Sequence, residues 1–316
     1  MARFENAHWM FIVNPAAANG KVGRIWPGLE ARIAERLQLY EVSHTRYSGH
    51  GIELARKAVQ SGFRHIIAVG GDGTNHEVTN GILQQDLIPS RDIFYTLLPV
   101  GTGNDWIRTH RIPRQLDAWL DMLEEGFLTV QEVGLVRYRL ENEQSQRYFV
   151  NVAGMAYDGF VVHYGEKWKA WIRNRFFYLL LILRCLFLYR LTGGIILADD
   201  KRIENRFYTI NIGICRFSGG GMQLVPQADP RDGQLALTYA GPVSKMGVIL
   251  NTWRFYNGSI GRHPKIELLQ ARTVEVGSLP GEKGIPLEAD GEFLGYSPAA
   301  FSLVPAALTV IVPSPE

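Results

Sequence analysis

Residues 68–82 read AVGGDGTNHEVTNGI. Three glycines, an aspartate and a threonine fill positions 70–74, with an apolar run before them and helix-compatible residues after. Two explanations compete: a tight strand-to-helix turn and a phosphate-binding loop. Glycine lets a backbone approach phosphate closely, and the first N–H groups of a helix face such an anion. Thr74 and Glu77 have capping-box spacing, which predicts a helix starting within the motif. Asp72 is the awkward residue. A carboxylate beside a phosphate repels it unless a metal, a lysine or backbone donors intervene, and the alternative is that Asp72 accepts hydrogen bonds from its own turn.

The flanking sequence alternates in type. WMFIVNP (9–15), YEVSHT (40–45), HIIAV (65–69) and IFYTLLPV (93–100) read as strands. Between them Ile25, Leu29, Ile33 and Leu37 form one helical stripe, and Ile52, Ala55 and Val59 another, the latter stopped by Gly62. Strands alternating with helices predict a buried parallel sheet, and the glycine loops then lie at its carboxyl edge, where ligands bind. PVGTGNDW (99–106) repeats the logic after the fourth strand, and NPAAANGK (14–21) repeats it more loosely after the first. No G-x-x-x-x-G-K-[ST] occurs, and Trp106 stands where the dinucleotide fingerprint has its third glycine.

Beyond residue 129 the pattern becomes strand-rich: LVRYRL, QRYFVNVAG, FYTINIGIC, QLALTYAG, KIELLQARTVEVGS and FSLVPAALTVIVP, with helical stretches near 167–190 and 243–256. The expected architecture is an α/β nucleotide-binding domain with a parallel sheet at 1–128. A β-rich antiparallel substrate and catalytic domain follows at 129–316, its last strand a candidate to return to the first domain.

The chain has 316 residues and a formal net charge of +2, so it lacks the strong basic field of many nucleic-acid binders. Its two cysteines, Cys185 and Cys215, sit in apolar runs and read as core residues of a reducing compartment. No secretory signal opens the chain, and the greasiest run, FFYLLLIL (176–183), is far short of the ~20 residues that cross a bilayer. A cytoplasmic protein is expected. Lys167, Lys169, Arg173, Arg175, Arg184 and Arg190 surround that run with Trp168, Trp171, Phe176, Phe177, Tyr178 and Tyr189 and no acid. Such a helix suits the headgroup layer of an anionic membrane; packing against the β domain is the alternative.

GGDGTNHEVTNGI followed by PVGTGNDWIR, with TRYSGHGIELA (45–55), FSGGGMQLVPQADPRDGQLAL (217–237) and LEADGEFLG (287–295), resembles the diacylglycerol kinase catalytic domain family, which includes bacterial lipid kinases, sphingosine kinases and ceramide kinases. The likeness spans nearly the whole chain in order. The G-G-D-G-T core alone is shared with NAD kinases and phosphofructokinase-like enzymes. The resemblance implies a fold of that class and an ATP-dependent kinase acting on a lipid primary hydroxyl, diacylglycerol foremost. It places ATP against Asn14, Pro15, Ala16, Ala17, Ala18, Thr45, Gly71, Asp72, Gly73, Thr74, Asn75, His76, Glu77 and Thr102. The first loop is one residue longer than the family's usual N-P-x-S-G-x-G. It also implies Mg2+ held around Asp232 with backbone oxygens of Asp229 and Gln234, where an ordinary surface turn is the alternative. Asp290 and Glu292 become the catalytic pair, Asp290 the preferred base, with an acidic hairpin tip as the bland reading. Expected partners are ATP, the lipid and an anionic membrane surface at the periphery; no nucleic acid is expected, and homodimerisation is left open. The rivals are a kinase of a soluble hydroxyl such as the NAD ribose, and an idle regulator, against which the intact Asp290-Gly291-Glu292 argues.

Overall fold

A computed structural model describes residues 4, 6–101, 103–141, 143–166, 168 and 175–315. The chain divides into two compact units, residues 1–133 with 305–316, and residues 134–304.

The first unit is built on strands β1 (Trp9–Val13), β2 (Tyr40–His44), β3 (His65–Gly70) and β4 (Phe94–Pro99). The end of a long last strand, Glu292–Val312, joins them as a fifth. Their order is β2-β1-β3-β4-last strand, every pair parallel. All of β1 is buried, as is nearly all of β3 and β4, which is why these segments are continuous apolar runs. Helices α1 (Ala17–Ala34), α2 (His50–Gln60), α3 (Asp72–Gln84), α4 (Trp106–His110) and α5 (Leu116–Glu125) complete it. In α1 the buried stripe is Val22, Trp26 and Ile33, with Ile25 and Leu29 only half-buried, as is Leu37 beyond the helix end. Ala18, Asn19 and Gly20 at its start are left-handed, and Pro27 lies within it.

The second unit is antiparallel. It contains the second half of β5 (Phe127–Leu140), β6 (Glu143–Phe149), β7 (Val152–Ala156), β8 (Thr192–Ala198), β9 (Lys201–Phe207), β10 (Thr209–Gly213), a short hairpin β11 (Phe217–Ser218) and β12 (Met222–Gln223), β13 (Leu235–Ala240), β14 (Ile266–Ala271), β15 (Thr273–Ser278), β16 (Pro286–Ala289) and the first part of β17 (Glu292–Val312). The main path runs β14-β13-β10-β7-β16-β17, with β15, β8 and β9 branching from β17, and β5 carrying β6. Helices α6 (Tyr157–Glu166), α7 (Arg175–Leu188), α8 (Lys245–Asn251) and α9 (Trp253–Tyr256) join the strands. The run QRYFVNVAG is two strands, not one. It breaks at Val150 and Asn151 because their N–H groups bond a distant carboxylate, described below.

Helices α2 and α3 pack unusually closely at Gly81. A Cβ there would meet the Ile52 carbonyl oxygen at 2.4 Å and the Ala55 side chain at 2.6 Å, whereas one on Gly28 of α1 would meet nothing within 4 Å. Gly81→Ala should therefore destabilise the protein by about 1–3 kcal/mol. Gly28→Ala should leave it unchanged or raise stability by up to ~1 kcal/mol. Paired denaturant titrations check both signs.

Candidate functional site

Three loops at the carboxyl edge of the first unit's sheet hold one another. Gly70 has no room for a side chain: its Cβ would fall 2.3 Å from Thr74 Oγ1. The Gly70 carbonyl accepts from Val100 N (2.9 Å) and Gly101 N (2.8 Å), tying the second loop to the first. A Cβ on Gly101 would lie 2.5 Å from Gly71 Cα, so the two glycine backbones touch. Asn14 Nδ2 donates to Thr74 Oγ1 at 3.1 Å and brings in the loop after β1. That loop turns on itself: Asn14 Oδ1 accepts from Ala16 N and the Asn14 carbonyl from Ala17 N, while Pro15 carries the carbonyl bonded by Gly23 N. Ala18 is left-handed at φ 52°.

The helix starts at Asp72 with Gly71 as an extended N-cap and no side-chain cap, so the expected Thr74–Glu77 capping box does not form. Thr74 lies inside the first turn and binds Asn14 instead. Glu77 Oε1 and Oε2 accept from Gly49 N (2.8 Å) and Gly51 N (2.9 Å), capping α2. An uncapped N-terminus on a 13-residue helix presents donors and a positive dipole end to an anion. Gly73 is exposed with open space around its Cα. Asn75 is buried and accepts from the Tyr95 hydroxyl at 2.6 Å; His76 is buried beside Asn80. Thr45 is buried at the end of β2, its N–H on the Val13 carbonyl. Thr102 lies outside the described residues. Asn75, His76 and Glu77 thus use their side chains for the fold.

Asp72 bonds not its own turn but the next loop. Its Oδ1 accepts from Asp105 N (2.8 Å) and Trp106 N (3.3 Å), and a Cβ on Gly103 would meet its Oδ2 at 2.8 Å. Burial, reinforced by the Asp105 charge, pushes the Asp72 carboxyl up to about 6 despite those backbone donors. Sequence reading passed over Asp105, although the N-D of GTGNDW put it in view.

In the second unit the turn between β16 and β17 carries the acids. Asp290 is left-handed at φ 49° and Gly291 at 86°. The Asp290 carboxylate accepts three backbone bonds, from Val150 N (2.9 Å), Asn151 N (3.1 Å) and Val152 N (3.1 Å), while its own N–H bonds the Val152 carbonyl. Glu292 pairs with Arg147 at 3.1 Å and is partly exposed. Glu288, two residues before Asp290, does not sit at an exposed hairpin tip. It is buried, and its Oε2 accepts from Gly291 N at 2.7 Å, clamping the turn from inside. Asp158 on α6, overlooked in the sequence, is half-buried and accepts from Thr209, with Asn211 behind, and desolvation pushes it up to about 6.

The 229–234 turn holds two acids. Asp229 Oδ1 accepts from Arg231 N (3.2 Å) and lies 3.6 Å from Arg231 Nε. Asp232 accepts from Gln234 N (3.0 Å) and Gln270 Nε2 (2.7 Å). Burial and the neighbouring Asp229 charge hold Asp232 above the usual carboxylate range. Hard oxygen donors carrying under-compensated negative charge fit a magnesium ion. Among the described residues no group of three or more His, Cys, Asp or Glu gathers as a metal cluster, so backbone oxygens would have to complete the shell.

The family model of the diacylglycerol kinase catalytic domain matches residues 8–136, and that of the YegS C-terminal NAD kinase beta sandwich-like domain matches 151–312. A diacylglycerol kinase of Mycobacterium tuberculosis is 27% identical, covering 96% of this chain and 94% of its own. One from Staphylococcus epidermidis is 26% identical, covering 96% and 91%. The crystal structure of a diacylglycerol kinase from Bacillus anthracis superposes with a TM-score of 0.70 at 19% identity over 96% of each chain. Yeast NADH kinase shares the fold at a TM-score of 0.52 and 7% identity, over 98% of this chain and 84% of its own. With the glycine loops in one unit and the D-G-E turn in the other, the chain belongs to the diacylglycerol kinase catalytic domain family of lipid kinases.

Proposed function

We propose that the chain transfers the γ-phosphoryl group of ATP to the primary hydroxyl of diacylglycerol. The observation that carries this is the touching pair Gly71 and Gly101, with Asp72 clamping both loops under the open N-terminus of α3. The curated relatives from M. tuberculosis and S. epidermidis, named for that acceptor, support the choice. The triphosphate would lie on the backbone donors of residues 71–74 and the 14–18 turn. An alcohol is a poor nucleophile, so its proton must leave as the phosphoryl group arrives. Asp290 would take it, held in one orientation by three amides, and Glu292 with Arg147 would orient the acceptor. Mg2+ at Asp232, with oxygens of Asp229 and Gln234, would neutralise that turn's charge. The basic, aromatic segment 167–190 would bring the protein to the periphery of an anionic, cytoplasm-facing membrane.

Radiolabel transfer from ATP to extracted diacylglycerol, with NAD as the competing acceptor, tests the reading; label in NAD and not in lipid overturns it. Asp72→Asn should abolish turnover yet stabilise the fold. The Asp72 pKa is raised in the folded state, so its ionisation costs stability that accrues as pH climbs from the ordinary carboxylate range to about 6, is full above that, and is nothing below the ordinary range. The variant should therefore gain about 1–3 kcal/mol at pH 8 and little at about pH 3.5, read by denaturant unfolding at both.

Asp290→Asn should lower kcat by about 10²–10⁴-fold with ATP affinity nearly unchanged. Because it also turns an NH2 toward three N–H groups, Glu292→Gln is measured beside it. If both keep more than roughly a tenth of wild-type kcat, the turn supplies no base. Mg2+ titration should raise the unfolding temperature of wild type and not of Asp232→Asn, as binding only the native state requires.

A further inference from the structure

Helices α8 and α9 carry no buried residue. Met246, Ile249, Leu250 and Trp253 recur at i, i+3, i+4 and i+7, the spacing of an amphipathic stripe, and Tyr256 extends it. In a globular protein that stripe ordinarily faces the core. Here it faces out: Leu250 is 65% exposed and Trp253 55%. Helix α7 does the same on one side. Leu181, Cys185 and Leu186 point inward, while Phe177, Leu180, Leu183 and Phe187 are exposed, Phe187 at 61%. Lys245 of α8 joins the two, donating to the Phe187 carbonyl with its ammonium 5.4 Å from the Phe187 ring.

Charge identifies what covers this face. No acid occurs in residues 167–198 or in residues 233–266, while Arg184, Arg190, Lys245, Arg254, Arg262 and Lys265 lie within them. Arg254 stacks on Trp253 at 4.9 Å, and Arg184 lies 5.8 Å from the Trp168 ring, so bases and interfacial aromatics alternate. No helix among the described residues is long and apolar enough to cross a membrane. Outward apolar stripes whose own segments carry cations and no acid fit the interfacial plane of a bilayer, where side chains sink about 5–10 Å and bases meet anionic headgroups.

We infer that α7 and the α8–α9 pair form one docking face that inserts into an anionic bilayer. The inference names the surface that brings the enzyme to its acceptor, and so rests on the lipid reading for its purpose, though not for its test. Cosedimentation is measured with vesicles of phosphatidylcholine alone and with 30% phosphatidylglycerol, in low and high salt. Wild type should bind the anionic vesicles, less so in high salt. Leu250→Glu with Trp253→Ala should lose at least tenfold of that binding, and Phe187→Glu likewise. Unfolding temperature and activity on a short-chain diacylglycerol in detergent should stay near wild type. Vesicle binding without phosphorylation of that substrate would leave the docking face standing and remove the acceptor reading. Unchanged vesicle binding by both variants overturns the inference. So does a wild-type dimer, seen by analytical ultracentrifugation, that the variants split while vesicle binding persists, since the face then covers a second copy.

Discussion

Two backbones in contact at Gly71 and Gly101 set the geometry of the first unit's loops. Gly101 admits no side chain, because a Cβ there would lie 2.5 Å from Gly71 Cα, while one on Gly71 would press on Gly101 Cα at 3.3 Å. That contact leaves Asp72 between loops, and the protein meets the resulting cost with the amides of Asp105 and Trp106. A carboxylate raised to about 6 by burial is a poor structural choice, and a carboxyl displaced in this way beside glycine loops is the kind of group that marks a candidate site. The site thereby gives up stability that a neutral residue would restore.

The second unit fixes its acidic turn by the opposite device. Asp290 adopts a left-handed backbone that its residue type tolerates better than most, and takes three N–H groups that would otherwise continue a strand. The strand break at Val150 and the turn at Asp290 are thus one feature seen from two places in the chain. Glu288 closes it from the buried side through Gly291. Removing any of the three would loosen the others, because each supplies donors or acceptors that water cannot reach easily.

The parallel sheet was legible because strands buried on both faces must be continuous apolar runs, as WMFIV, HIIAV and YTLLP are. The β-rich half was legible as a class, through alternation and turn residues. Its breaks were not, because the partners of Val150 and Asn151 lie about 140 residues away. The capping box failed for a similar reason: local spacing offered Glu77 to its own helix, while the amides of Gly49 and Gly51 claimed it from another. The stripe on α8 shows a further limit. Periodicity reveals which residues share a face, and only packing reveals whether that face meets core or solvent. For the glycine loops, sequence marked where backbone donors gather, but not that Asn75, His76 and Glu77 turn their side chains inward.

The bond from Glu77 to the first turn of α2 makes two helices answer to one event. Gly49 and Gly51 give their N–H groups to a carboxylate seated one turn inside α3, the helix that begins at the glycine loops. Breaking those two bonds opens both amides to exchange with solvent. Exchange at Gly49 and Gly51 therefore reports how firmly the first turn of α2 is held by α3, at glycines outside α3 itself.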